Sequence, residues 1–170
     1  MFSRSHFIYF ISFLALLGPA VAANLYRMDF RPPTQVHQEG GLVSKDPDGD
    51  GSVLDHVRAV LGNDDPWVST TSDKKLAREG ARSPGNAYVY YIDPTGLNPV
   101  DTIKAFRDAG EEHPHPGEKE FSIHGSIPWS HIVKWDTYTR GKKTGTTTRQ
   151  EFEQGQGSSA KGRLIRSFIA

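Results

Sequence analysis

The sequence predicts one α+β domain built on an antiparallel-leaning sheet. Its apolar stretches are short, and each ends in Gly, Pro, Asn, Asp or Ser, so the elements are brief and closely punctuated. Strand-like and helix-like patterns do not alternate with the regular rhythm of βαβ units, which argues against a doubly wound parallel sheet. At 170 residues the chain is long enough for one core and too short for two of ordinary size.

The elements follow in order. Residues 1–22 read as a secretory signal peptide. Arg4 supplies the positive start, Phe7 to Leu17 is apolar apart from Ser12, and Pro19-Ala-Val-Ala22 offers small residues for cleavage. That run is too short to span a bilayer, so the remainder is expected to be secreted, extracellular and without a membrane span. Leu25 to Met28 alternates like a strand until Arg31-Pro-Pro33 breaks it. Thr34 to Gln38 fits one helical turn stopped by Gly40-Gly41, and Ser44 to Ser52 is a Gly/Asp/Pro loop. Val53, Leu54, Val57, Val60 and Leu61 fall on one helical face, ended by Gly62.

Trp67 to Thr71 reads as a strand, and Ser72 as the cap of a short helix through Arg78. Ala87 to Ile92 is a buried strand, and Asn98-Pro99 opens a helix through Phe106. Glu118 to Ile123 and Ile127 to Tyr138 complete the strands. Residues 23–140 form the expected folded domain. From Gly141 the composition turns to Gly, Lys, Thr, Gln and Ser, so residues 141–170 read as a flexible polar tail, unfolded or partner-dependent.

Composition closes several options. Twenty Lys and Arg balance twenty Asp and Glu, whereas nucleic-acid or anionic-membrane binding needs a basic excess or stripe. With no cysteine there is no disulfide, thiol nucleophile or thiolate metal site. Asp46-Pro-Asp-Gly-Asp-Gly51 opens like a calcium loop, but Val57 stands where the bidentate glutamate belongs. His113 and His115 lack an evident third ligand, so no metal site is assigned.

The most informative residues are Glu118 and Glu120, one residue apart. Read as a strand, that spacing puts both carboxylates on one face, where like charges repel unless a ligand or a task retains them. A solvated strand edge is the plain alternative. Four other features accompany the pair in chain order. They are Arg27 within Leu25-Tyr-Arg-Met-Asp-Phe-Arg-Pro-Pro33, His56 within Leu54-Asp-His-Val-Arg58, Ser69-Thr-Thr71, and Gly125-Ser-Ile-Pro-Trp-Ser130.

This order and wording resemble the catalytic A chain of the cholera toxin and heat-labile enterotoxin family, mono-ADP-ribosyltransferases of the Arg/Ser-Thr/Glu-x-Glu class. The likeness covers Asn24 to Tyr138 and is densest at Leu25 to Gly41 and His115 to Trp135. It implies short helices around antiparallel-leaning sheets that form a cleft for NAD, used as co-substrate. It also implies a toxin that moves ADP-ribose to an arginine of a target protein.

By resemblance, Glu120 stabilises charge developing on the ribose and Glu118 orients and helps deprotonate the acceptor guanidinium. Arg27 holds the phosphates or ribose of NAD, or else is a structural partner of Asp29. Ser69 orients the catalytic glutamate, while Thr70 and Thr71 shape the nicotinamide pocket. His56 bonds the ribose side, or is a satisfied structural histidine. Asp29 and Arg31 lie at family positions near the nucleotide. Two other readings stay open: an NAD glycohydrolase in which water replaces the acceptor, and a non-catalytic secreted binding protein with the same fold. The segment between Gly41 and His56 departs from the family pattern, as does the lack of cysteine. A cell-binding B subunit does not follow from the resemblance.

Overall fold

The computed structural model describes residues 23–156. The expected signal peptide, and residues 157–170 of the expected tail, lie outside the described residues. Strands β1 (Leu25–Asp29), β3 (Trp67–Thr71), β4 (Asn86–Ile92), β5 (Val100–Asp101), β6 (Glu120–His124), β8 (Ile132–Thr139) and β9 (Lys142–Thr148) form one sheet. Its order is β5-β6-β3-β1-β4-β8-β9, and the pairs are antiparallel. A second sheet pairs β2 (Gly41–Val43) with β7 (Ser126–Pro128).

The long β4 explains the unbroken apolar run of the sequence. Tyr90 and Ile92 face a core with Leu25, Leu42, Ile127, Ile132 and Trp135. Val89 and Tyr91 face the other side, against Ala77 and Ala81 at helix α3 (Lys74–Gly80). A strand buried on both faces reads as continuous hydrophobicity rather than alternation. Helix α1 (Pro33–Gln38) packs on β2, α4 (Thr102–Asp108) on β5 and β6, and α2 (Val53–Val57) against α4. Gly41 is fixed by the small sheet: at φ 148°, a Cβ there would sit 2.1 Å from the Ile127 carbonyl oxygen.

Several boundaries differ from the sequence reading. α2 ends at Val57 because Ala59 adopts φ 57°, which closes the helix before Leu61. Asp73, rather than Ser72, caps α3 by accepting from the Lys75 amide at 2.9 Å. The run Ile127 to Tyr138 divides between two sheets through the turn Trp129–His131, since Pro128 has no amide to continue a ladder.

The expected flexible tail is also corrected over 142–156. Lys142–Thr148 is strand β9, paired along β8, and Thr146 donates to Asp136 at 2.7 Å. Its four threonines suit an exposed edge strand: β-branched for the backbone, polar for solvent. Residues 149–156 are helical. Phe152 packs between His37, Trp129 and Trp135 at ring distances of 5.6, 5.5 and 5.4 Å. Average polarity hid one aromatic anchor.

Candidate active site

Three adjacent strands build the site. β1 lies beside β3 with Tyr26 opposite Thr71, and β3 lies beside β6 with Ser69 opposite Ser122 and Thr71 opposite Glu120. Arg27, Ser69 and Glu120 therefore come from neighbouring strands although up to 93 positions separate them in sequence (Arg27 to Glu120). They line one cavity of about 550 Å³ together with His56, Thr71 and Glu118.

Arg27 is held from two sides. Its Nη1 donates to the Ser69 carbonyl at 2.7 Å and its Nε to Asp29 Oδ2 at 3.1 Å. Asp29 is buried and also accepts from the amide, Nε and Nη2 of Arg31 at 2.9, 3.1 and 2.8 Å. Burial alone would raise the Asp29 pKa, but the two guanidinium groups outweigh it and hold the carboxyl below its ordinary range. Arg27 pairs with Asp29, as its structural reading expects, and also lines the cavity. Asp29 and Arg31 serve as its frame, and both also line an adjoining cavity of about 480 Å³.

Glu120 opens β6 and is 7% exposed. Its Oε1 accepts from Ser122 Oγ at 3.0 Å and lies 3.2 Å from His56 Nε2, which is also 2.9 Å from Ser69 Oγ. The other ring nitrogen of His56 meets both oxygens of Asp65, at 2.9 and 2.8 Å. Burial disfavours charge on His56, yet the carboxylates of Glu120 and Asp65 prevail and raise its pKa. Burial likewise opposes charge on Glu120, but hydrogen bonds from His56, Ser69 and Ser122 prevail and lower its pKa. Glu120 and His56 thus favour each other's charged forms across one contact, and Asp65 anchors the far side of the imidazole.

Glu118 stands apart from the strand reading. It ends a tight turn, Pro116–Glu118, and Lys119 follows with φ 48°, so β6 starts only at Glu120. The two acids are not adjacent on one strand face, although both line the cavity. Glu118 is exposed at the rim, and its turn is pinned where its carbonyl accepts from Thr71 Oγ1 at 2.8 Å. Lys119 ties the same turn to α3 through Asp73 at 2.9 Å. Thr70 commits its hydroxyl to the Phe121 carbonyl, so Thr70 and Thr71 shape the wall through strand and turn contacts.

Some contributors escaped the sequence reading. Asp65 is one of six aspartates between positions 46 and 65, with nothing local to single it out. Ser122 was legible, because i and i+2 on a strand share a face with Glu120. His113, weighed above as a metal ligand, instead bonds Thr102 Oγ1 at 2.9 Å, and Thr102 donates to the Glu120 carbonyl at 3.1 Å. The 480 Å³ cavity shares Arg27, His56 and Ser69 with the first and adds Lys45 and Ser44. Ser44 Oγ is buried without a hydrogen-bond partner among the described residues. The second cavity is thus lined by Arg31, Lys45, Asp29, Asp65 and the unsatisfied Ser44 hydroxyl, and the first by Glu118 and Glu120. Among the described residues no cluster of three or more metal ligands occurs, and no helix is long and apolar enough to cross a membrane.

This sheet arrangement and cleft are the ADP-ribosyltransferase fold. A solved variant of heat-labile enterotoxin superposes with a TM-score of 0.61 at 27% identity, covering 75% of this chain and 74% of that one. Residues 4–155 match the family described as heat-labile enterotoxin alpha chain, and the chain belongs to that family. The NAD(+)–arginine ADP-ribosyltransferase Chelt of Vibrio cholerae is 33% identical over 135 residues, spanning 69% of this chain and 22% of that protein. The heat-labile enterotoxin A chain of Escherichia coli is 32% identical over 148 residues, spanning 75% of this chain and 55% of that one. The chain thus spans between about a fifth and about half the length of these curated relatives.

Proposed function

We propose that the protein is a secreted, toxin-like NAD-dependent mono-ADP-ribosyltransferase that modifies arginine on a target protein. The observation that carries this reading is the meeting of Arg27, Ser69, Glu120 and Glu118 around one cavity. The two adjoining cavities suit a dinucleotide. Arg27, Arg31, Lys45 and the unsatisfied Ser44 hydroxyl fit a diphosphate at one end, and buried Glu120 fits a sugar that becomes positively charged at the other. NAD supplies a ribose–nicotinamide bond whose cleavage sends the electron pair to nicotinamide and leaves positive charge on the sugar.

Each side chain then has a task. Glu120, ionised and little hydrated, stabilises that charge, with an effect large in a site of low dielectric. His56, Ser69 and Ser122 fix the orientation of its carboxylate, so little reorganisation accompanies the reaction. Glu118, at the open rim, meets the planar guanidinium with paired hydrogen bonds and takes the proton lost as its nitrogen bonds to the ribose. Arg27 supplies a rigid fork that a lysine lacks.

Two readings share this chemistry in part. In NAD glycohydrolysis water replaces the guanidine, and Glu118 becomes dispensable; in a binding protein nothing is consumed. The test is incubation with labelled NAD and an arginine-containing peptide, comparing wild type with Glu118→Gln. Label on the peptide, lost in the variant while nicotinamide release continues, supports the transferase. Equal loss of both reactions contradicts the role of Glu118, and no NAD consumption by wild type contradicts catalysis altogether.

A further inference from the structure

The charge of this molecule is unevenly placed. Without Arg4, Lys161, Arg163 and Arg166, residues 23–156 hold sixteen Lys and Arg against all twenty Asp and Glu. Seven of the sixteen come from two short segments, 74–82 and 140–143, in which Glu79 is the sole acid. The fold brings these segments together. The Arg140 amide donates to the Gly85 carbonyl at 2.9 Å, and a Cβ on Gly141 would lie 3.5 Å from Arg82 Cα. Between α3 and the β8–β9 turn lies a cleft of about 430 Å³, lined by Lys75, Arg78, Arg82, Lys143, Glu79 and Tyr138.

Internal pairing accounts for only part of this charge. Lys143 neutralises buried Asp136 at 2.7 Å, and Arg78 Nε donates to the Tyr138 hydroxyl at 3.2 Å. Lys75 is 83% exposed and lies 3.9 Å from Glu79, a loose surface pair of little strength. Arg82 and Lys142 form no ion pair among the described residues, and both are exposed. Outside these two segments the whole chain carries thirteen Lys and Arg against nineteen Asp and Glu, so this basic cleft orients an acidic partner that most of the chain repels.

The cleft adjoins the catalytic cavity. α3 separates them, presenting Leu76 and Ala77 to the cavity and Lys75 and Arg78 to the cleft, while Glu79 borders both. We infer that the basic cleft is a docking site for the target protein, and that the acceptor arginine lies beside an acidic segment of that target. The inference rests on the transferase reading and names its substrate class. A lipid surface fits less well, since the cations line a concavity that shares a wall with the reaction site.

The test uses the full chain and two synthetic peptides, each with one arginine, followed in one by a run of aspartates and in the other by serines. Wild type is expected to show a KM at least tenfold lower for the acidic peptide, with the preference fading at high salt. The triple variant Lys75→Glu, Arg82→Glu, Lys142→Glu is expected to lose that preference while releasing nicotinamide from NAD at the wild-type rate. Equal KM values in wild type, or a preference kept by the triple variant, overturn the inference and leave the transferase reading standing. Failure of wild type to label either peptide defeats the transferase reading, and this inference with it. Sedimentation with phosphatidylserine vesicles that the triple variant abolishes, with peptide preference unchanged, assigns the cleft to a membrane and overturns docking.

Discussion

Asp65→Asn removes one charge from the site and keeps its shape. Asp65 and His56 side chains are 15% and 9% exposed and lie 2.8 Å apart, so their hydrogen bond is shielded from solvent. A hydrogen bond between charged groups contributes about 1.5–3 kcal/mol, which as transition-state stabilisation corresponds to roughly a ten- to hundredfold change in kcat/KM. The sign follows from His56. Its folded pKa is raised, so protonation of the ring that faces Glu120 survives to higher pH than in a free imidazole and is lost as pH climbs through the folded value. Without the Asp65 charge that value drops, and the alkaline decline of activity begins at lower pH. The assay is nicotinamide release from NAD, followed as kcat/KM against pH for both proteins. The variant is expected to lose activity on the alkaline side and to approach wild type as pH falls. Superimposable profiles would refute the claim that Asp65 charges His56 and that His56 holds Glu120.

Four further outcomes are expected. Arg27→Lys gives up the fork that joins the Ser69 carbonyl to Asp29; the KM for NAD should rise about tenfold or more with a small loss of stability. Glu118→Gln should cut transfer to arginine by about a hundredfold while leaving Tm unchanged, because the side chain is exposed. Gly41→Ala forces a Cβ against the Ile127 carbonyl and should lower stability by about 2 kcal/mol or more, read by thermal or urea unfolding. Acidification should destabilise the fold through Asp29, Glu120 and Asp136. Their folded pKa values lie below the unfolded ones, so the stability they contribute is present above the unfolded pKa and lost as pH falls through the folded values. A Tm that stays flat from neutral pH through the carboxylate range would contradict this.

How much of the site was legible depended on whether its signal was local. β1, β3 and β4 could be read because alternation or unbroken β-branched and aromatic residues mark strands wherever they pair. Arg27, His56, Ser69 and Glu120 stood out through family wording, and geometry brings all four to one cavity. The strand argument for Glu118 and Glu120 failed at Lys119, whose left-handed backbone no side-chain pattern announces. Asp65 and Thr102 were invisible because they act through partners distant in sequence, His56 and the Glu120 carbonyl. The 142–156 segment was misread because a polar edge strand and a helix anchored by Phe152 share the average composition of a disordered tail.

The central claim is that buried, ionised Glu120 stabilises positive charge on the ribose, and Glu120→Gln tests it most directly. The substitution keeps the shape of the side chain, and circular dichroism can verify that the fold persists. Single-turnover nicotinamide release should fall by at least about a hundred- to a thousandfold, the range for losing one preorganised electrostatic contact. Release by the folded variant at the wild-type rate would contradict the account.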